Sequence, residues 1–188
     1  MLMMSQGIVN SVGRAERIPL FLSSTTEQVF DTGVSAGYGL EDDSAVYRVY
    51  LPKTPSLVYD QTTSESLASA DAENTKLVID MLRGVHLASA AESMALGKKV
   101  GLDTKSLYEI IQTAAGSSKM FVERVPEMLS GTYESGSLED IRAGLRAVLD
   151  KAAKIKYPLH LTGTALQIFE LVGGNKDAEV IKLWGPGL

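Results

Sequence analysis

Cysteine is absent from the chain, which excludes a disulfide scaffold, a thiolate zinc site and a cysteine nucleophile. That absence fits a reducing compartment, and a cytoplasmic protein is expected. Histidine is scarce. His86 and His160 have no second histidine or carboxylate at metal-ligand spacing, so no metal site is expected. No apolar run reaches the ~18 residues of a membrane span, and Met1-Leu2-Met3-Met4 is too short and too weakly basic for a signal peptide. Clustered Lys and Arg are also missing. With a net charge of −5, the chain is not expected to bind nucleic acid, which requires phosphate neutralisation. No strand-like segment leads into G-x-G-x-x-G, and Gly33, Gly37 and Gly39 do not fit that spacing, so the loop that cradles a dinucleotide pyrophosphate is lacking. Glu41-Asp42-Asp43 lacks the alternation of a calcium loop; it reads as a helix start favoured by the dipole.

What the chain does have is a partial copy of itself. Residues 9–31 align without a gap on residues 148–170. Ile18-Pro19-Leu20-Phe21-Leu22 falls on Tyr157-Pro158-Leu159-His160-Leu161, and Thr25 through Phe30 falls on Thr164 through Phe169. After a short slip, Asp43–Tyr50 falls on Asp177–Trp184. Fixed-order self-similarity implies one supersecondary unit used twice. The second copy is preceded by a long stretch that the first lacks. The expected organisation is therefore the rear half of a first helical repeat over 1–50, a linker over 51–68, and a complete second repeat over 69–188. A chain that starts inside a repeat is expected to be a fragment.

The periodicity is helical throughout. From Asn74 to Val100, apolar residues recur in steps of three and four through Leu77, Val78, Met81, Leu82, Val85, Ala88, Ala91, Ala95 and Leu96, predicting a long amphipathic helix. Its small residues from Ala88 to Ala95 suit close packing against another helix. Gly101 is a natural stop, and Asp103 a natural cap for a helix over Thr104–Ala114. Gly116-Ser117-Ser118 reads as a turn before a helix over Met120–Leu129, which Pro126 could bend. A helix over Leu138–Lys156 ends at Tyr157-Pro158. Thr162 is expected to cap Gly163–Val172, and Asp177 a short last helix to Trp184. Ala45–Leu51 alternates like a strand, but its repeat partner follows a cap, so both are expected to be short helices. An all-α fold follows.

This order, with Lys76-Leu77-Val78 opening the long helix, Ala91–Asp103, Ala115-Gly116-Ser117-Ser118 and Tyr157–Thr162, resembles the helical C-terminal domain of the β-hydroxyacid dehydrogenases. That family includes the 3-hydroxyisobutyrate and threonate dehydrogenases and is related to 6-phosphogluconate dehydrogenase. The resemblance implies a helical bundle with a long central helix, like the C-terminal domain of 6-phosphogluconate dehydrogenase. It also implies a parent enzyme using NAD or NADP on a small 2- or 3-hydroxy acid, and a homo-oligomer whose long helices pack between subunits.

By the same resemblance Lys76 holds the place of the catalytic general acid/base, and Gly116, Ser117 and Ser118 match a loop near substrate. The chain also departs from the pattern. The family's substrate-orienting asparagines are replaced by Ile79 and Asp80. Its glycines before the helix are Ala70 and Ala72. Its Lys-Asp pair on the later helix is Ala143-Gly144 in the second copy and Met4-Ser5 in the first. Asp80, one turn after Lys76, predicts an ion pair that favours the charged ammonium, the wrong direction for a base. No cofactor-binding residue is expected in this chain. Two readings follow: the helical portion of a dehydrogenase, inactive alone, or a non-catalytic association module on the same fold.

Overall fold

The computed structural model describes residues 2–51 and 67–185. Among them the chain is helical with no strand. The order is α1 (Leu2–Ala15), α2 (Phe21–Gly33), a π turn (Val34–Tyr38), a first 3₁₀ helix (Asp43–Tyr50), α3 (Leu67–Lys99), α4 (Thr104–Ile111), α5 (Lys119–Ser130), α6 (Leu138–Ile155), α7 (His160–Leu171) and a last 3₁₀ helix (Asp177–Trp184). The strand-like alternation of 45–51 is overridden by the Asp42 cap, whose carboxylate accepts from Ser44 N. Most of the linker expected over 51–68 lies outside the described residues.

The long helix is the axis of the core. Leu87, Ala88, Ala91 and Met94 on α3 are fully buried, together with Met128, Leu145, Ile168 and Phe169 from α5, α6 and α7. Glycine brings α6 close: a Cβ on Gly84 would stand 2.6 Å from Leu145 Cδ2. Burial of this kind is the main source of stability, at about 1.5–3 kcal/mol per large apolar side chain.

Local chemistry sets the helix ends. Asp103, Ser118 and Ser137 cap α4, α5 and α6 through Ser106 N, Phe121 N and Asp140 N. Pro126 lies within α5 without ending it. Two caps depart from expectation. Thr162 does not cap α7; the helix begins at His160 after Leu159, and Thr162 sits buried inside its first turn. Asp177 does not cap the last 3₁₀ helix either, since Lys176 precedes it. Asp177 is instead fully buried, with both carboxylate oxygens taken by Arg124 Nε at 3.0 and 3.1 Å. Burial pushes its carboxyl above the ordinary 3.8, against the pull of Arg124. Gly136, at φ 68°, lies against that carboxylate, where a Cβ would overlap it.

The stretches that align in sequence take the same conformations. Arg17 and Lys156, which hold the same place, are the non-glycine residues with positive φ among the described ones, at 55° and 57°. Trp184 packs edge-on to Phe21 with centroids 6.1 Å apart, and Tyr50 packs at 5.7 Å on His160, the residue that aligns with Phe21. Thr25 and Thr164, also equivalent, hydrogen-bond to each other at 2.9 Å. A contact between equivalent residues is what a two-fold relation produces.

Candidate functional site

The helical spacing that predicts an ion pair between Lys76 and Asp80 delivers one: Lys76 Nζ donates to Asp80 Oδ2. The lysine side chain is 73% exposed and the aspartate only 10%. Arg83, one turn further on, places Nη1 3.8 Å from Asp80 Oδ1. Asp80 is covered because α6 presents Gly144 to it; a Cβ there would stand 3.0 Å from Asp80 Cβ and Cγ. The two departures read from the sequence, Asp80 and Ala143-Gly144, therefore meet in space. The aspartate occupies the room that a side chain at position 144 would need. One carboxylate between two cations leaves the cluster with one net positive charge, and the i,i+4 pair contributes only about 0.3–0.5 kcal/mol. Beside it α3 leaves Val78, Ile79 and Leu82 about half exposed.

The Gly116–Ser118 turn is not part of this cluster. Gly116 and Ser118 line a cavity of about 80 Å³ with His86, Ser89, Ala90, Ser93, Ile111 and Phe121. His86 follows Lys76 by ten residues on one helix, a rise of about 15 Å. Ser118 Oγ is occupied in capping α5, accepting from Phe121 N at 3.1 Å. Ser117 N bonds Ala114 O within the turn. Among the described residues no group of three His, Asp or Glu side chains is placed to hold a metal.

One residue that sequence reasoning passed over is built in more tightly than any of these. Glu92 is 3% exposed on the alanine-rich face of α3. Its carboxylate accepts from Leu22 N and Ser23 N, both at 2.9 Å, and from Ser23 Oγ at 2.7 Å. It thus caps α2 across seventy positions of sequence, where a negative charge meets the positive end of the helix. A glutamate on a stripe of Ala and Met was the available signal. The same face, expected to pack between subunits, is buried within the chain: Ala88, Ala91, Met94 and Ala95 are 6% exposed or less.

The chain's relatives carry the same helical region. Residues 70–184 match the family described as NAD-binding of NADP-dependent 3-hydroxyisobutyrate dehydrogenase. An L-threonate dehydrogenase of Cupriavidus necator is 42% identical over 127 residues, covering 64% of this chain and 42% of the relative. The L-threonate dehydrogenase of Haemophilus influenzae is 37% identical over 115 residues, covering 58% and 38%. The solved structure of a 3-hydroxyisobutyrate dehydrogenase from Salmonella typhimurium superposes with a TM-score of 0.56 at 34% identity, over 58% of this chain and 41% of that one. The chain thus spans less than half the length of the curated relatives it matches. By its match from Lys76's helix through the last 3₁₀ turn, the chain belongs to the family of NAD-binding domains of NADP-dependent 3-hydroxyisobutyrate dehydrogenases.

Proposed function

We propose that this chain is the C-terminal helical portion of an NAD(P)-dependent oxidoreductase acting on a small 2- or 3-hydroxy acid, and that it is inactive alone. The observation that carries the reading is the match of residues 70–184, opened by Lys76 on α3, to the corresponding part of hydroxy acid dehydrogenases. The domain organisation within it is a rear half-copy over 1–50 and a complete copy over 69–188. The equivalent aromatic pairs and the Thr25–Thr164 contact support that division.

The residues present do not suit a complete nucleotide site. A dinucleotide pyrophosphate needs a helix N-terminus reached by a glycine loop after a strand. Here the N-termini of α2, α4, α5 and α6 are taken by Glu92, Asp103, Ser118 and Ser137. The chain's contribution is the exposed face of Val78, Ile79 and Leu82 beside Lys76, a surface for a nucleotide-carrying domain to cover. Within this copy Lys76 is a solvent-facing partner of Asp80 and takes no part in proton transfer.

A second reading, a non-catalytic association module, is favoured by that same Lys76–Asp80 pair. Calorimetric titration of NAD and NADP into the chain tests the first statement. The expected result is no binding tighter than about 100 µM, roughly −5.5 kcal/mol; tighter binding would place a nucleotide site here after all. Joining the chain to a nicotinamide-binding domain of this family and following reduction of NAD or NADP with L-threonate separates the two readings. Hydride transfer supports the dehydrogenase; its absence across small hydroxy acids, with the fusion folded, supports the module.

A further inference from the structure

A cavity of about 460 Å³ lies where the turn after α1 meets the second copy, within the size range of small-molecule sites. That turn supplies Arg17 and Ile18. The end of α3 supplies Lys98 and Lys99, and the last 3₁₀ helix supplies Ile181 and Trp184. The floor is apolar and fixed. Ile181 is 1% exposed, and Ala95 beside it is buried. Trp184 is pinned in place, because its indole Nε1–H donates to Pro19 O at 2.6 Å and its ring packs edge-on to Phe21. At the equivalent junction Tyr50 stands in the place of Trp184 and stacks on Tyr157 with centroids 6.2 Å apart. Tyr157 is the counterpart of Ile18. The smaller Ile18 leaves beside Trp184 the room that a tyrosine ring takes at the other junction.

The rim is cationic. Arg17, Lys98 and Lys99 converge on it, and no carboxylate is among the described residues that line the cavity. This runs against the balance of the chain, which has 23 acidic and 18 basic side chains. Lysines in the last turn of a helix are favoured by its dipole. That accounts for Lys98 and Lys99 but not for Arg17, which a different element brings to them. Among the described residues neither Arg17 nor Lys99 enters an ion pair. Like charges gathered at one mouth repel, and a bound anion relieves that repulsion. A guanidinium fork beside two ammonium groups matches the oxygens of a phosphate.

We propose that this cavity binds a small phosphate monoester with a flat apolar body. The phosphate sits on Arg17, Lys98 and Lys99, and the body lies against Trp184 and Ile181. Lys98 follows Lys76 by twenty-two residues on α3, a rise of about 33 Å. The site is therefore separate from the Lys76–Asp80 cluster, and it is independent of the dehydrogenase reading.

The test uses the full chain and three probes: 2-naphthyl phosphate, inorganic phosphate (the head alone) and 2-naphthol (the body alone). Trp184 is the only tryptophan, so its indole N–H gives one NMR signal that reports on the cavity wall. 2-Naphthyl phosphate should shift that signal and saturate between about 0.1 and 1 mM, with each half-probe at least about tenfold weaker. Arg17→Asn, which keeps a residue that tolerates the positive φ of 55°, and Lys99→Gln should each weaken 2-naphthyl phosphate about three- to tenfold. Both side chains are exposed, so the circular dichroism spectrum should stay unchanged. No saturation by about 10 mM, or shifts that leave Trp184 untouched, would overturn the proposal. Equal binding of inorganic phosphate would reduce the site to surface cations, and equal binding of 2-naphthol would reduce it to an apolar patch; either overturns it, as does unchanged affinity in both variants.

Discussion

Replacing Glu92 by alanine should loosen the start of α2, although Phe21 on Trp184 and Thr25 on Thr164 still hold the helix to the second copy. The carboxylate holds three donors, of which Leu22 N is buried and the two on Ser23 are half-buried. A buried donor stripped of its partner costs about 1–3 kcal/mol, more when the lost acceptor is charged. Water can reach Ser23 and recover part of that loss, whereas Leu22 N stays covered. Loss of an N-terminal cap by itself costs about 0.5–2 kcal/mol, which overlaps the same bonds and is not added to them. The expected destabilisation is therefore about 2–4 kcal/mol. It should be concentrated in residues 2–51, because α3 is packed on α5, α6 and α7 through residues that Glu92 does not touch. Glu92→Gln keeps the shape and one acceptor oxygen and should lose about half as much. Chemical denaturation followed by circular dichroism gives the total, and hydrogen exchange resolved along the chain gives its location. A change below about 0.5 kcal/mol, or unaltered protection at Leu22 and Ser23, would refute the assignment of Glu92 as the cap of α2.

Two further outcomes follow from the Arg124–Asp177 pair. Because burial raises the Asp177 carboxyl above 3.8 despite Arg124, its contribution to stability is fully present in acid, below the unfolded value. It is lost as pH rises through the folded value. Asp177→Asn removes that decline, so the variant's stability relative to the wild type should climb as pH is raised from 3.8 toward neutrality; denaturation midpoints across this range check the sign, and a relative fall would contradict it. Gly136→Ala puts a Cβ onto the same carboxylate from a position at φ 68° and should destabilise by about 1–3 kcal/mol, read by thermal unfolding, with no change expected in any ligand-linked property.

The parts of the fold legible in the sequence are those fixed by neighbours. The long helix, the Asp103 cap and the Lys76–Asp80 pair all follow from spacings of three and four residues. The self-alignment goes further, since it places Phe21 and His160 in equivalent positions where Trp184 and Tyr50 then pack on them. What was not legible joins distant segments. Glu92 reads as one acid on an alanine-rich helix, and only the fold shows that it caps α2. Asp177 looks like a cap because it opens a short helix, but Arg124 and the space left by Gly136 draw it inside. Gly116 and Ser118 share a small cavity with His86, which the rise of α3 sets about 15 Å from Lys76, a separation that no local spacing announces. The small face of Ala88–Ala95 suits close packing, as expected, yet it is consumed within the chain.

The most direct test of the account is the turnover of a folded protein in which this chain is joined to a nicotinamide-binding domain, compared with its Lys76→Ala variant. Lys76 is mostly solvent-exposed and paired with Asp80, which packs against Gly144, so kcat should change little. Loss of a working acid/base catalyst costs about 10²–10⁴-fold, and a drop of that size with the helical content intact would contradict the account.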